Sequence, residues 1–244
     1  MFIKNLLKKK NLPTKQYDSN VSFQNYINET KPRLSYSAEG QDRFIYHYLF
    51  ERAKRIKDMT EIRYLDIGTC HPIAVNNTYL FYSLNARGVC VEPNIDLAPL
   101  IKEKRPKDIV VSCGIVTEEA LKKSKHKELD YYVFPDDVAR NTFSKEIADW
   151  TVDNLDLTYR TISQKVMSIN EIFQLYFKDE EIDILDIDIE GLDEIVLKDI
   201  DYDRYAPRII CSENYGEPIE DFMKQKGYTL IGKLYGDKIF VKDF

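Results

Sequence analysis

The sequence predicts an α/β fold, a mostly parallel sheet with helices on both faces, closed by an antiparallel hairpin. Three observations carry this reading. Short apolar runs alternate with helix-like stretches over residues 62–115, and again over 182–226. Between these blocks the pattern changes, and two apparent strands stand apart as a small antiparallel excursion. Near the C-terminus, residues 228–234 and 238–241 flank Gly236-Asp237, a turn so short that its strands must run antiparallel.

A chain of 244 residues fits one large domain or one domain with a modest addition. With 43% hydrophobic and 31% charged residues it is an ordinary globular composition, which excludes disordered and collagen-like classes. The net charge of −6 argues against general nucleic-acid binding, which rests on phosphate neutralisation. No apolar run approaches the ~20 residues that span a bilayer, so no integral membrane segment is expected. Cys70, Cys90, Cys113 and Cys211 form no CxxC pair and sit in or beside apolar runs. They read as small buried hydrophobes in a reduced, cytoplasmic setting.

Residues 1–35 are polar and irregular, broken by Pro13 and Pro32, and read as an N-terminal extension to a single domain over 36–244. Its basic start, MFIKNLLKKK, reads as a solvated tail, with an amphipathic helix touching a partner or membrane as the alternative. Residues 41–57 carry Phe44, Ile45, Tyr48, Leu49 and Ile56 near helical spacing. A strand follows over 62–67, then a helix over 76–87 with Asn or Thr available to cap it and Gly88 beyond its end. Residues 89–91 form a second strand, Asp96 can cap a helix to about Lys104, and 109–115 form a third strand. The insertion, about 129–169, holds apparent strands at 129–134 and 157–169. Ser168 with Glu171 makes a capping box for a helix through about Phe177. A strand at 182–189, a helix at 192–199, a strand at 208–212 and a helix at 218–226 complete the alternation before the hairpin. A parallel sheet ending in an antiparallel hairpin is the plan of class I methyltransferases, a Rossmann-like design, and dinucleotide dehydrogenases usually lack it.

The segment YLDIGTCHP, residues 64–72, is a strand running into a loop at Gly68, where glycine lets a backbone approach a ligand closely. Ligands of open α/β sheets bind beyond the carboxyl ends of the strands. Glu92 ends the second strand, where an acid can accept both ribose hydroxyls of an adenosine. The later glycines of the pyrophosphate fingerprint are missing, since the loop reads Gly68-Thr69-Cys70-His71-Pro72-Ile73. An adenosine without phosphates therefore fits better than a dinucleotide, and S-adenosylmethionine is the common ligand of that kind. A plain strand, loop and helix with a chance Glu92 is the alternative.

Eight segments resemble the FkbM family of S-adenosylmethionine-dependent O-methyltransferases. They are SAEGQDRFI at 37–45, YLDIGTCHP at 64–72, NNTYLFY at 76–82 and GVCVEPN at 88–94, followed by SCGI at 112–115, NTFS at 141–144, DILDIDIEGLDEIVL at 183–197 and RIICSEN at 209–214. They follow the family order over nearly the whole chain. Two departures stand out: the family's first loop often reads Asp-Ile-Gly-Ala-Asn followed by a second glycine or a proline, where this chain has Thr69-Cys70-His71-Pro72 after Gly68, and Asp186 stands where the family often has Lys. The resemblance implies that Asp66, Gly68 and Thr69 lie beside the methionine half of the cofactor and that Glu92 holds the ribose. It also implies that Cys113 and Gly114 sit beside adenine. Asn77 and Thr78 open a helix whose free amides would meet the methionine carboxylate or a substrate oxygen, and Gln41 and Asp42 would close over the same end.

Residues 183–191, DILDIDIEG, place Asp186, Asp188 and Glu190 at alternate positions, hence on one face if the strand persists. Three carboxylates together need a cation, a basic side chain or raised pKa values. The next strand ends in Ser212-Glu213-Asn214, so Asp188, Glu190, Glu213 and Asn214 form a candidate hard-oxygen set for Mg²⁺ or Mn²⁺. A metal there would bind the acceptor hydroxylate; the competing reading makes Asp188 or Glu190 a general base. His71 is a further candidate to take the acceptor proton. Asp136 and Asp137 read as a solvated turn that can border the acceptor pocket. The leading function is methyl transfer to a sugar hydroxyl, on a nucleotide-activated sugar or a glycan of surface polysaccharide biosynthesis. An anionic nucleotide sugar would call on the metal or on Arg140 or Arg160. An adenosine-cofactor oxidoreductase and a non-catalytic glycan-binding protein that kept the fold are the alternatives.

Overall fold

The computed structural model describes residues 35–49, 58–178, 180–213, 219–234 and 236–242. The N-terminal extension up to residue 34, the second half of the expected 41–57 helix and Asn214 lie outside the described residues. The main sheet runs, edge to edge, β3 (Ile109–Val111), β2 (Arg87–Val91), β1 (Arg63–Ile67), β7 (Ile184–Ile187), β8 (Ile209–Glu213), β10 (Asp237–Lys242) and β9 (Tyr228–Leu234). The first five strands are parallel, and β10 is antiparallel to both its neighbours. This is the expected Rossmann-like class I plan, with the terminal hairpin filling one edge.

Strand alternation splits the interior into two cores. Leu65, Ile67, Leu185, Ile187, Ile210 and Phe240 face one way, against the helices Ile169–Tyr176, Asp193–Lys198 and Glu220–Gln225. Tyr64, Ile184, Ile209, Cys211, Ile239 and Val241 face the other, against Ile45 and Phe81 of the helices Gln41–His47 and Tyr79–Ser83. Burial on both faces is why these strands read as apolar runs rather than polar–apolar alternation. The register sets Asp66 beside Asp186 on the second face, with Cys211 next in the row.

The helix expected over 76–87 is confined to Tyr79–Ser83, with Arg87 already in β2, and two expected strands also change, each for a physical reason. The strand expected over 109–115 is two, because the chain leaves the main sheet at Ser112-Cys113 and enters a second one. That small sheet has the order β4 (Gly114–Val116), β6 (Arg160–Ser168), β5 (Glu128–Val133), with β4 parallel and β5 antiparallel to β6. A Cβ on Gly114 would lie 2.2 Å from the Phe143 ring, so a larger residue at the crossing point would have to displace that ring. The strand expected over 182–189 stops at Ile187. Beyond it, the Asp193 carboxylate accepts from the backbone N–H groups of Ile189 and Gly191, both at 3.2 Å, and Glu190 and Gly191 take positive φ. That turn takes Glu190 out of the alternation with Asp186 and Asp188. The Ser168 capping box forms as expected. A helix at Lys145–Leu155 stands where no element was expected, opened by Ser144, whose hydroxyl accepts from the Ile147 N–H.

Candidate active site

The carboxyl ends of β1, β2 and β7 open onto one cleft, floored by Gly68, Glu92 and Asp188. Cys113 and Gly114 line it too, with Tyr131, Asn141 and Phe143, whose ring packs on Gly114. Gly68 has φ +81°, and a Cβ there would lie 1.9 Å from the Asp188 carbonyl oxygen. The loops after β1 and β7 therefore touch only because this residue is glycine.

Glu92 ties the first loop to the second. Its carboxylate accepts from the backbone N–H of Cys70 at 2.8 Å and of Asn94 at 2.7 Å. Burial pushes its pKa up to about 7, against the pull of those two bonds, with the charge of Asp66 adding to the rise. Each carboxylate oxygen has two acceptor sites, so capacity remains for two donors from the cleft.

At the other end, carboxylate oxygens of Asp188, Glu190 and Glu213 all lie within 4.8 Å of one another. Asp188 is open to the cleft but ringed by protein. Loss of water around it and the like charges of Glu213 and Glu190 raise its pKa well above the usual carboxylate range. Burial also pushes Asp193, beneath the turn, up to about 7. Arg140 reaches the cluster, its Nη1 standing 3.7 Å from Glu190 and its Nε 3.6 Å from Asp137. Arg160 instead pairs with Asp96 at 3.2 Å.

The remaining candidates are engaged with the protein itself, outside this cleft's walls. Asp66 accepts from the Thr78 hydroxyl and from Asn76 Nδ2 at 3.3 Å, and it pairs with Arg105 Nη1 at 3.4 Å. The Thr69 hydroxyl donates to the Asp66 carbonyl at 3.2 Å. Asn77 donates to Asp186 at 3.0 Å, and burial beside Asp66 raises the Asp186 pKa well above its ordinary value. His71 Nδ1 accepts from the Ile73 and Ala74 N–H groups, both at 3.0 Å, and burial lowers its pKa to about 4. The ring is thus neutral at physiological pH with its proton on Nε2, which suits it to shaping the loop rather than taking a proton. Gln41 donates to Asp237, and Asp42 accepts from the Ser35 hydroxyl and the Tyr36 N–H, organising the segment ahead of its helix.

Sequence reasoning did not single out Arg105, whose side chain is fully buried and which holds Asp66 and Asp108 together. It also passed over Tyr131 and Asn141 as cleft walls. The motif NTFS at 141–144 was the available signal for the second of these.

The model of the methyltransferase FkbM domain matches residues 66–230 of the chain. No curated protein matches it. Among solved structures, it is similar to a TehB-like SAM-dependent methyltransferase from Corynebacterium glutamicum ATCC 13032 Kitasato, at 10% identity and a TM-score of 0.35, over 83% of this chain and 98% of that one. Among the described residues, no helix is long and apolar enough to cross a membrane.

Proposed function

Because the chain belongs to the FkbM methyltransferase family, we propose that it transfers the methyl group of S-adenosylmethionine to a sugar hydroxyl. The observation that carries the oxygen acceptor is the carboxylate cluster at one end of the cleft, led by Asp188 with its raised pKa. A hydroxyl attacks well only as its proton leaves, and a carboxylate of raised pKa is the better acceptor for that proton. The donor set also suits the cofactor: Glu92 for a ribose diol, and an apolar wall with Cys113 and Gly114 for a flat base. When bound, S-adenosylmethionine supplies an electrophilic methyl group on a sulfonium. Glu92 accepts from the ribose hydroxyls, Gly68 lets the first loop pass close to the ligand, and Asp188 takes the acceptor proton with Glu190 beside it. Arg140 at this end gives a nucleotide-activated sugar or charged glycan, of the kind used in surface polysaccharide biosynthesis, a cation next to the cluster. Turnover with a panel of nucleotide sugars and short glycans tests this, and methylation only of nitrogen acceptors would overturn it.

A second reading has Asp188, Glu190 and Glu213 hold Mg²⁺ or Mn²⁺, since their oxygens are close enough to share one ion. Arg140 beside Glu190 favours the metal-free base. Full turnover in excess chelator is therefore the expected result. A fall restored by Mg²⁺ or Mn²⁺ would transfer the cluster's role to the metal.

Glu92→Ala is expected to weaken S-adenosylhomocysteine binding by about 1.5–3 kcal/mol, the range for hydrogen bonds to a charged group. It should also lower the melting temperature, because the Cys70 and Asn94 N–H groups lose their acceptor. In wild type, affinity should rise as pH increases through about 7, where Glu92 ionises, and this step should vanish in Glu92→Gln. The stability term has the opposite sign. The folded carboxyl keeps its proton to about pH 7 while the unfolded one releases it near 4.5, so Glu92's contribution to stability falls across that window. Calorimetric titration and thermal melts from pH 5.5 to 8.5 check both signs.

A further inference from the structure

The lining of the cleft contains a polar group that the proposed mechanism leaves unused. Asn141 Oδ1 accepts from the Phe134 N–H at 2.8 Å. That bond fixes which way the amide lies, so Nδ2 must point elsewhere. Nδ2 is shielded from solvent and has no hydrogen-bond partner among the described residues. The Asn141 side chain interacts with the Tyr131 hydroxyl in the sense that favours the phenolate, but Nδ2 does not reach it in full hydrogen-bond geometry. A shielded amide donor without an acceptor is costly, unless a ligand completes it.

The position of Asn141 indicates which part of a ligand. It shares the cleft with Cys113 and Gly114, and the Tyr131 hydroxyl next to it lies in the field of Glu92. The following residue turns away, with the Thr142 hydroxyl donating to the Glu190 carbonyl at 3.4 Å. Phe143 packs on Gly114 and lies 4.5 Å from the Tyr131 ring, centroid to centroid. Asn141 is therefore a shielded donor beside the Tyr131–Phe143 aromatic pair and next to Gly114, while its chain neighbours Arg140 and Thr142 reach toward Glu190. A purine edge offers ring nitrogens that only accept.

Resting on the cofactor reading above, we propose that Asn141 Nδ2 donates to a ring nitrogen of the adenine and so sets the base specificity of the site. This role would fall to the small-sheet segment and not to the strand ends.

The test is calorimetric titration of the full chain with S-adenosylhomocysteine and its 1-deaza, 3-deaza and 7-deaza analogues. One analogue should bind wild type roughly ten-fold more weakly than the parent, the scale of one hydrogen bond. Asn141→Ala should bind that analogue and the parent alike. Asn141→Asp keeps the acceptor for the Phe134 N–H and removes the donor, so it should show the same loss of discrimination even if the alanine variant folds poorly. Equal wild-type affinity for all four ligands overturns the inference. So does a uniform loss across all four in the variants, reproduced by Tyr131→Phe, which would mean that Asn141 only positions Tyr131. No binding of S-adenosylhomocysteine by wild type would overturn the cofactor reading itself, and this inference with it.

Discussion

Asp188→Asn is expected to lower turnover by about 10²-fold or more, the scale of a lost acid–base group. Glu190→Gln should do the same, since its carboxylate shares the cluster with Asp188 and Glu213. The amides keep the shape of the side chains and remove the charge. Affinity for S-adenosylhomocysteine should change little, because Glu92 and the loop after β1 are untouched. The structure sharpens the expectation for stability. Asp188 is held among like charges that raise its pKa, so its amide relieves repulsion and the melting temperature should hold or rise. A purely structural carboxylate would behave in reverse, with melting lowered and turnover near normal in what stays folded. In wild type, turnover should climb with pH as the cluster gives up its proton, because only the ionised carboxylate accepts one. Near-wild-type turnover in both variants would remove this strand end from the chemistry.

The parts of the fold legible in the sequence are those written by neighbours in the chain. Gly68 and Glu92 each end an apolar run, and the structure puts both on the floor of one cleft. Ser168 and Glu171 are three residues apart and cap their helix reciprocally. The terminal hairpin is specified by a turn with no room for anything else. What was not legible depends on residues distant in sequence or on side chains beyond the element they shape. Nothing in DILDIDIEG announces that the strand ends at Ile187. That is decided by Asp193, whose carboxylate takes the Ile189 and Gly191 amides. The resemblance places Asp66 and Thr78 beside the cofactor, and no local pattern shows that both are also engaged by Arg105, which follows the helix Leu97–Lys104. Asn141 belongs to a segment held at the cleft by the Tyr132–Thr142 bridge and by the Phe134 N–H, contacts that local pattern does not reveal.

Arg105 is the clearest such case, and its loss should have the largest effect on stability. In the sequence it sits in KEKRPKD, a run that reads as solvated charge. In the structure its side chain is fully buried, and its guanidinium donates to Asp108 at 2.7 Å, Tyr64 at 3.0 Å, Thr78 at 2.9 Å and Asn76 at 3.3 Å, besides pairing with Asp66. A planar fork of five donors meets acceptors on nearly every side, which a lysine cannot do. Removing it leaves Asp66 and Asp108 as buried carboxylates without their cation. Arg105→Met is therefore expected to cost about 3–5 kcal/mol of unfolding free energy, the range for breaking a buried ion pair from one side. Urea denaturation followed by circular dichroism measures this directly. The triple variant Arg105→Met, Asp66→Asn, Asp108→Asn should lose less than Arg105→Met alone, because no unpaired charge is left behind. If it loses more, the hydrogen bonds of the network matter beyond its charge. The same network reaches the loop after β1, since Asn76 also donates to the Thr69 carbonyl at 3.3 Å. Arg105→Met that still folds should therefore bind S-adenosylhomocysteine more weakly although no atom of Arg105 lines the cleft.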